Sequence, residues 1–370
     1  MDTFPLSSLT LEQAKALQFR IVDIAMRHFD GFQILSEGDL GVVKGKNKPE
    51  YTRKVENIIA ELFHAEDAVL VRGAGTGAIR WGLASILRRG RKLLVHSAPV
   101  YPTTQVTLET MNAEPVRADF NCTGEIEKTL DENPGITAAL VQLTRQKIDD
   151  SYDCGEVIQT IKSKNPSVRI LTDDNYAVLK VPQIGVQCGA DLSAFSCFKL
   201  LGPAGVGALV GSGDLIRYVC DCNYSGGSQV QGYEAMAVLR GMVYAPMALA
   251  VQAEVGEELV KRLRSGEIPE VKNAFLANAQ SKVLLVEFQE DIAEQVLECT
   301  AKHGAAAYPV GCESKFEFVP MMYRISGTVR QQDPALEKRM IRINPMRGGA
   351  ETVMRILKES LQETKQMKGE

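Results

Sequence analysis

The chain has 370 residues, 45% hydrophobic and 24% charged, with a formal net charge of −4 and a pI near 5.8. That is globular composition, enough for one large core and a smaller one. The mild acidity argues against general binding to nucleic acid or to an anionic membrane surface.

Met1-Asp2-Thr3 and the following residues contain no basic stretch leading into an apolar one, so no secretory signal is expected. Thr10 followed by Gln13 predicts a capping box and a helix to about Phe29. Gly31 to Pro49, rich in glycine, lysine and turn formers, predicts a long ordered loop. From Val55 on, Val55, Ile58, Ile59, Leu62 and Phe63 keep helical spacing. Short β-rich runs then recur at Ala68–Val71, Lys92–His96, Pro115–Ala118, Ala138–Gln142, Arg169–Thr172, Leu192–Phe195 and Gly207–Gly211. Helical patterns separate most of them, among them Thr76–Leu87 and Gly155–Lys164. This alternation predicts an α/β fold, a three-layer α/β/α arrangement around a mostly parallel seven-stranded sheet.

After Gln229 a helical stretch runs to about Arg264, with an interruption expected near Pro246. Strand patterns at Lys282–Phe288, Tyr323–Ser326 and Met340–Asn344, with helices at Ala293–His303 and Glu351–Leu361, predict a smaller α+β C-terminal domain. The expected divisions are residues 1–50 as helix and arm, 51–245 as the large domain and 246–370 as the small one. No apolar run approaches the roughly 20 residues that span a bilayer. The eight cysteines are scattered, and Cys220 and Cys222 form the closest pair. Without a C-x-x-C no zinc or other metal site is expected, and the thiols fit a reduced, cytoplasmic compartment.

In parallel sheets ligands sit beyond the carboxyl ends of the strands. Four such places stand out. Val71-Arg72-Gly73-Ala74-Gly75-Thr76-Gly77 is a strand, a glycine turn and a helix start, where free N–H groups suit a phosphate. A plain tight turn explains it equally well on its own. Tyr101, after the run ending at His96, offers a ring for stacking, although alone it reads as a packed loop aromatic. Asp173 and Asp174 directly follow an apolar strand, where an acid is costly without a cationic partner. A capping acid is the ordinary reading of such a pair. Lys199 lies in the apolar run Phe195-Ser196-Cys197-Phe198-Lys199-Leu200, where burial lowers an amine's pKa and suits imine chemistry. A snorkelling lysine is the bland alternative.

The order of these features resembles that of fold-type I pyridoxal-5′-phosphate (PLP) enzymes, the aspartate-aminotransferase superfamily, over roughly Val55 to Gly232. Asp173-x-Asn175-Tyr176 is similar to that family's acid–tyrosine segment, and Ser196-x-x-Lys199 to its S-x-x-K. The resemblance implies that Lys199 holds the cofactor as a Schiff base and Asp173 pairs with the ring nitrogen. It implies that Tyr101 covers the ring, Tyr176 lies near the phenolic oxygen, and Gly75, Thr76, Gly77 and Ser196 take the phosphate. Gln142-Leu143-Thr144-Arg145 resembles the Q-x-[ST]-R of aluminium-resistance-type members, which implies cofactor contact by Thr144 and substrate contact by Arg145. Ile341-Arg342-Ile343-Asn344 resembles the late strand whose arginine grips the substrate carboxylate. Tyr224-Ser225-Gly226-Gly227 resembles the loop that reaches a neighbouring subunit's phosphate, so a homodimer with shared sites is implied, with Ser225 and Gly227 in contact with the cofactor. Gly38, in Gly38-Asp39-Leu40-Gly41, is expected on the substrate side, a structural turn being the alternative.

The short interval from Asp173 to Lys199 is similar to that of the cystathionine-lyase branch. No arginine follows Lys199 by a turn, so the phosphate is left to backbone N–H groups and hydroxyls. The implied function is an enzyme acting at the α-carbon of an amino acid: an aminotransferase, with a β/γ-elimination lyase as the alternative. From another class, a non-catalytic nucleotide- or PLP-binding module stays open. No Walker loop, G-x-S-x-G elbow or H-E-x-x-H helix supports other chemistry.

Overall fold

The Thr10 hydroxyl accepts from the Gln13 amide at 3.2 Å, and Gln13 Oε1 accepts from the Thr10 amide at 2.9 Å. This reciprocal cap starts α1 (Leu11–His28) where the sequence places it. The protein is seen here in a computed structural model that describes residues 3–45, 47–278, 282–307 and 313–369. Between α1 and α2 (Glu50–Leu62) the chain is a loop with one short helical turn. Asp39 ends that loop by accepting from the Glu50 and Tyr51 amides, which caps α2.

The large sheet contains β1 (Asp67–Arg72), β2 (Lys92–His96), β3 (Glu114–Ala118), β4 (Ile136–Gln142), β5 (Arg169–Asp173), β6 (Leu192–Ser196) and β7 (Val206–Gly211). Their spatial order is β1-β7-β6-β5-β4-β2-β3. Every pairing is parallel except those of β7, which runs antiparallel to both neighbours. The chain between β6 and β7 is too short for a crossover, so β7 must return as a hairpin partner.

Alternate strand residues feed two layers. Val69, Val71, Leu93, Val95, Leu140 and Leu209 pack on α3 (Ala74–Ile86), beside α4 (Pro102–Thr110) and α7 (Gly213–Cys222). On the other face Ala68, Leu70, Ala208 and Val210 pack with α1, α2 and α8 (Gly232–Arg264). Leu94, Ala139, Val141 and Ile170 pack with α5 (Thr123–Glu132) and α6 (Cys154–Lys164). Continuous apolar strands are what a sheet covered on both faces requires.

The smaller unit is an antiparallel sheet of order β10-β11-β9-β8, made from β8 (Val271–Leu276), β9 (Leu284–Phe288), β10 (Met321–Arg324) and β11 (Met340–Asn344). Its helices are α9 (Ala293–Lys302), α10 (Gly327–Gln332) and α11 (Ala350–Lys368). Three expectations need correction. Strand β8 was not foreseen, because Lys272 and Asn273 interrupt its alternation where a bulge sits. The strand expected at Tyr323–Ser326 starts earlier, at Met321, since Ser326 caps α10.

Helix α8 runs unbroken through Pro246 because Met242, Ala245, Pro246 and Leu249 are all buried, so packing offsets the lost backbone bond. Its first half belongs to the large core and its last turns to the small one, so the 245/246 division falls inside one helix. It is also long and apolar enough to cross a bilayer, yet 56% of its apolar window is buried in this fold.

Candidate active site

The turn after β1 is built from left-handed backbone, with φ of 96° at Gly73 and 53° at Ala74. The Gly205 carbonyl accepts from both amides, at 2.8 and 3.1 Å. The next amides, of Gly75 and Thr76, open the first turn of α3, where a helix has no internal acceptor for them. Gly75 is needed for space: a Cβ there would lie 2.5 Å from Asn175 Oδ1. Gly77 is needed for packing, since its Cβ would lie 2.0 Å from the Arg72 carbonyl oxygen. It lies beneath the turn and does not line the cleft.

Strand β6 ends at Ser196, and a short helical turn, Cys197–Leu200, carries Lys199. Leu201 ends that turn with a φ of 60°. Helix α8 crosses it closely, and a Cβ on Gly241 would stand 2.6 Å from the Leu200 carbonyl oxygen. Lys199 Nζ sits 3.4 Å from the centre of the Tyr176 ring, a cation–π distance. Tyr176 itself adopts a φ of 68°, a strained setting for an aromatic residue.

Asp173 closes β5 and opens onto the same space. Its Oδ1 accepts from the Asn175 amide at 3.1 Å and from Asn175 Nδ2 at 2.8 Å. Burial pushes its pKa up, against the opposing pull of Asn175 and of the Lys199 charge. Asp174 turns away. It is fully buried, accepts from Thr172 Oγ1 and the Gly185 amide, and has no access to the cleft. The local alternation of a strand end therefore separates the two acids, one to the cleft and one to the core.

A single cleft of about 550 Å³ gathers most of the expected residues: Gly75, Thr76, Tyr101, Thr144, Asp173, Tyr176, Ser196, Lys199 and Arg342. Arg342, on β11, stacks its guanidinium 4.1 Å from the Tyr323 ring centre and donates from Nε to the Arg324 carbonyl at 2.8 Å. The small domain thus supplies one wall and the sheet's strand ends the other.

Besides Gly77, four expected residues lie outside the cleft. Arg145 does not line the cleft: its Nε donates to the Tyr152 carbonyl at 2.8 Å and its Nη1 to the Phe4 carbonyl. A φ of 60° at Arg145 turns the chain so that Thr144 faces the cleft and the arginine faces the N-terminal segment. Gly38 packs on the start of α8, where its Cβ would meet the Gly232 carbonyl carbon at 2.4 Å. It serves the turn that positions Asp39, not the cleft. Ser225 and Gly227 are exposed and line no part of this chain's own cleft.

Other residues emerge only from the fold. Asn175 joins two strand ends, with Nδ2 on Asp173 and Oδ1 accepting from the Ser196 amide at 3.0 Å. Thr103 pairs its hydroxyl with that of Thr76 at 3.2 Å. Lys147 and Asn278 also line the cleft. Asn175 stands inside the acid–tyrosine segment singled out in the sequence, and Thr103 lies two residues after Tyr101. Lys147 and Asn278 sit in loops with no signal of their own.

The donor set fits PLP. Open amides and two hydroxyls would suit its phosphate, a buried acid its ring nitrogen, and the cleft also presents an amine. Among the described residues no group of three or more metal-ligating side chains exists.

Comparison with known proteins agrees with this geometry. Residues 44–238 match the aminotransferase class-V model, and residues 257–357 match the YhfS-like C-terminal domain. The chain is 54% identical over 361 residues to the uncharacterized protein YhfS of Escherichia coli, covering 98% of this chain and 99% of that protein. The crystal structure of the Escherichia coli PLP-dependent protein YhfS superimposes with a TM-score of 0.96 over 98% of this chain and all of that one. A cystathionine gamma lyase of Micromonospora echinospora shares the fold at 17% identity, with a TM-score of 0.73 over 94% of this chain and 99% of the other. A cystathionine beta-lyase of the aluminium-resistance type from Listeria monocytogenes does so at 18% identity, with a TM-score of 0.71 over 95% and 94%. The chain belongs to the aminotransferase class-V family of fold-type I, PLP-dependent enzymes and carries the YhfS-like C-terminal domain.

Proposed function

We propose that the protein is an aminotransferase that removes the α-proton of an amino acid and passes its amino group on. The observation that carries this reading is the convergence of Lys199, Asp173 and Arg342 on one cleft from three separate elements. When bound, PLP supplies an electron sink for the carbanion formed at the substrate's α-carbon. Gly75, Thr76 and Ser196 would hold its phosphate, and Asp173 would keep its ring nitrogen protonated. Tyr101, which lines the same cleft, would cover one face of the ring.

Lys199 Nζ would hold the cofactor and would move a proton at the substrate's α-carbon. Arg342 fixes the α-carboxylate through its planar guanidinium, which sets the bond to be broken. Asn175 keeps Asp173 and Ser196 in register.

The same residues serve β- or γ-elimination, and that reading is second. A screen of amino acids with the purified holoprotein separates the two. Transfer turns over beyond one keto acid per cofactor only when a second keto acid is present, and it leaves no ammonia. Elimination releases ammonia and a keto acid from one substrate. Ammonia released without an acceptor overturns the aminotransferase assignment.

We also infer that two copies pair and work in the cytoplasm. Phe32, Leu35, Leu40, Tyr224 and Tyr244 are exposed, and Phe32 is 89% open. The arm and α8 that carry several of them are bonded together: Gly41 donates to Gln231, Arg240 to the Ser36 carbonyl, and Asn47 to the Tyr224 carbonyl. An apolar surface of this kind supports a dimer in which Ser225 and Gly227 reach the partner's cleft. A monomer in sedimentation with full activity contradicts it.

A further inference from the structure

Four charged side chains line the cleft: Lys147, Asp173, Lys199 and Arg342. Three have roles in the proposed reaction. The fourth, Lys147, has none. Among the described residues its ammonium meets one polar side chain, Ser97 Oγ at 3.4 Å, and pairs with no carboxylate.

The backbone that carries Lys147 is clamped on both sides. Its amide donates to Asp150 Oδ2 at 2.8 Å, and the Gln146 amide donates to the same oxygen at 3.2 Å. Its carbonyl accepts from Asn278 Nδ2 at 3.1 Å, a contact made from the small domain. Asp150 is held in turn by His96 Nε2 at 3.0 Å and Asn121 Nδ2 at 3.1 Å. Since His96 Nδ1 accepts from the Phe120 amide, its proton lies on Nε2 and points at Asp150. Burial raises the Asp150 pKa, but these bonds win and leave it at about 2, so the clamp stays ionised. A lysine on a solvent loop needs no such support. One built to meet a ligand gains from a fixed backbone.

Position in the sheet sets Lys147 apart from the residues that would hold the cofactor phosphate. The phosphate turn follows β1, and Ser196 ends β6. Lys147 follows β4 and contacts the loop after β2, beyond β5 and Asp173 from the turn. It shares the cleft with Arg342.

We propose that Lys147 is a specificity-determining cation that binds a second anionic group on the substrate, so that the preferred amino acid carries an acidic side chain, a carboxylate or a phosphate. The proposal rests on the functional reading above, because it presumes that Arg342 takes the α-carboxylate.

The test follows the cofactor absorption of the holoprotein during titration with aspartate, glutamate and O-phosphoserine, each against its neutral counterpart, asparagine, glutamine and serine. At least one acidic member binds roughly tenfold or more tightly than its counterpart, as a charged hydrogen bond implies. In Lys147→Met that ratio falls to about one, while affinity for the neutral member is unchanged. Lys147→Arg retains much of the preference. The pair with the largest ratio tells carboxylate from phosphate. A wild-type ratio near one overturns the proposal, as does a ratio that survives Lys147→Met, or a holoprotein that answers to none of the six. A Lys147→Met protein purified without cofactor also overturns it, by assigning the ammonium to the phosphate. A wild-type protein without any bound chromophore refutes the functional reading itself, so the two failures are distinct.

Discussion

Asp174→Asn separates the two adjacent acids of β5 by their response to pH. Asp174 is fully buried, and its Oδ1 has no hydrogen-bond partner. Burial raises its pKa from 3.8 to about 7, and the nearby Ser193 and Thr172 hydroxyls and Gly185 amide offset only part of that rise. The folded protein therefore holds a proton that the unfolded chain has released. The stability this group confers is complete below the unfolded value of 3.8 and is lost as pH rises through about 7. At about 1.4 kcal/mol per unit, the full effect is on the order of 4 kcal/mol.

Asparagine is neutral at every pH and keeps an oxygen for Thr172 and Gly185. From pH 5 to pH 8 the stability of Asp174→Asn relative to wild type rises by roughly 2–3 kcal/mol. Urea unfolding of both holoproteins across that interval measures it. Parallel curves with a constant offset refute the reasoning, because they mean that Asp174 is ionised throughout. Amino-acid turnover persists in Asp174→Asn, whereas Asp173→Asn loses most of it.

Gly75→Ala forces a methyl group against Asn175, which is pinned by Ser196 and Asp173. Cofactor affinity falls about tenfold or more, at ~1.4 kcal/mol per decade, and PLP titration of the apoprotein measures it. An unchanged affinity removes the turn from the phosphate site. Lys180 and Glu313 form a buried ion pair between the large and small domains, 3% and 1% exposed, and Gln252 donates to the same carboxylate at 2.9 Å. Lys180→Met leaves that carboxylate buried without its cation and costs about 3–5 kcal/mol in urea unfolding. A loss below ~1 kcal/mol shows that the pair is open to solvent.

The sheet was legible because its strands are apolar on both faces and separated by turn residues, so each of the seven runs falls on an observed strand. The antiparallel β7 follows only from the length of its connection, and the spatial order of strands from neither. Asp173, Tyr176, Ser196 and Lys199 were legible because they follow strand ends at the intervals of a known family. Arg145 was misplaced because sequence does not carry the left-handed backbone that turns it from the cleft. Gly38 was misplaced because its close approach to Gly232 is a contact across nearly 200 residues of chain. Lys147 and Asn278 were invisible for the same reason, since loops from different domains bring them together. Pro246 misled because its helix draws stability from burial, not from local propensity.

Lys199 is the one amine expected to bond the cofactor. Borohydride treatment of the holoprotein, followed by digestion and mass spectrometry, decides this. A reduced pyridoxyl-phosphate adduct is expected on the peptide containing Lys199 and none in Lys199→Ala. An adduct on Lys147 or Lys180, or an adduct that persists in Lys199→Ala, contradicts it.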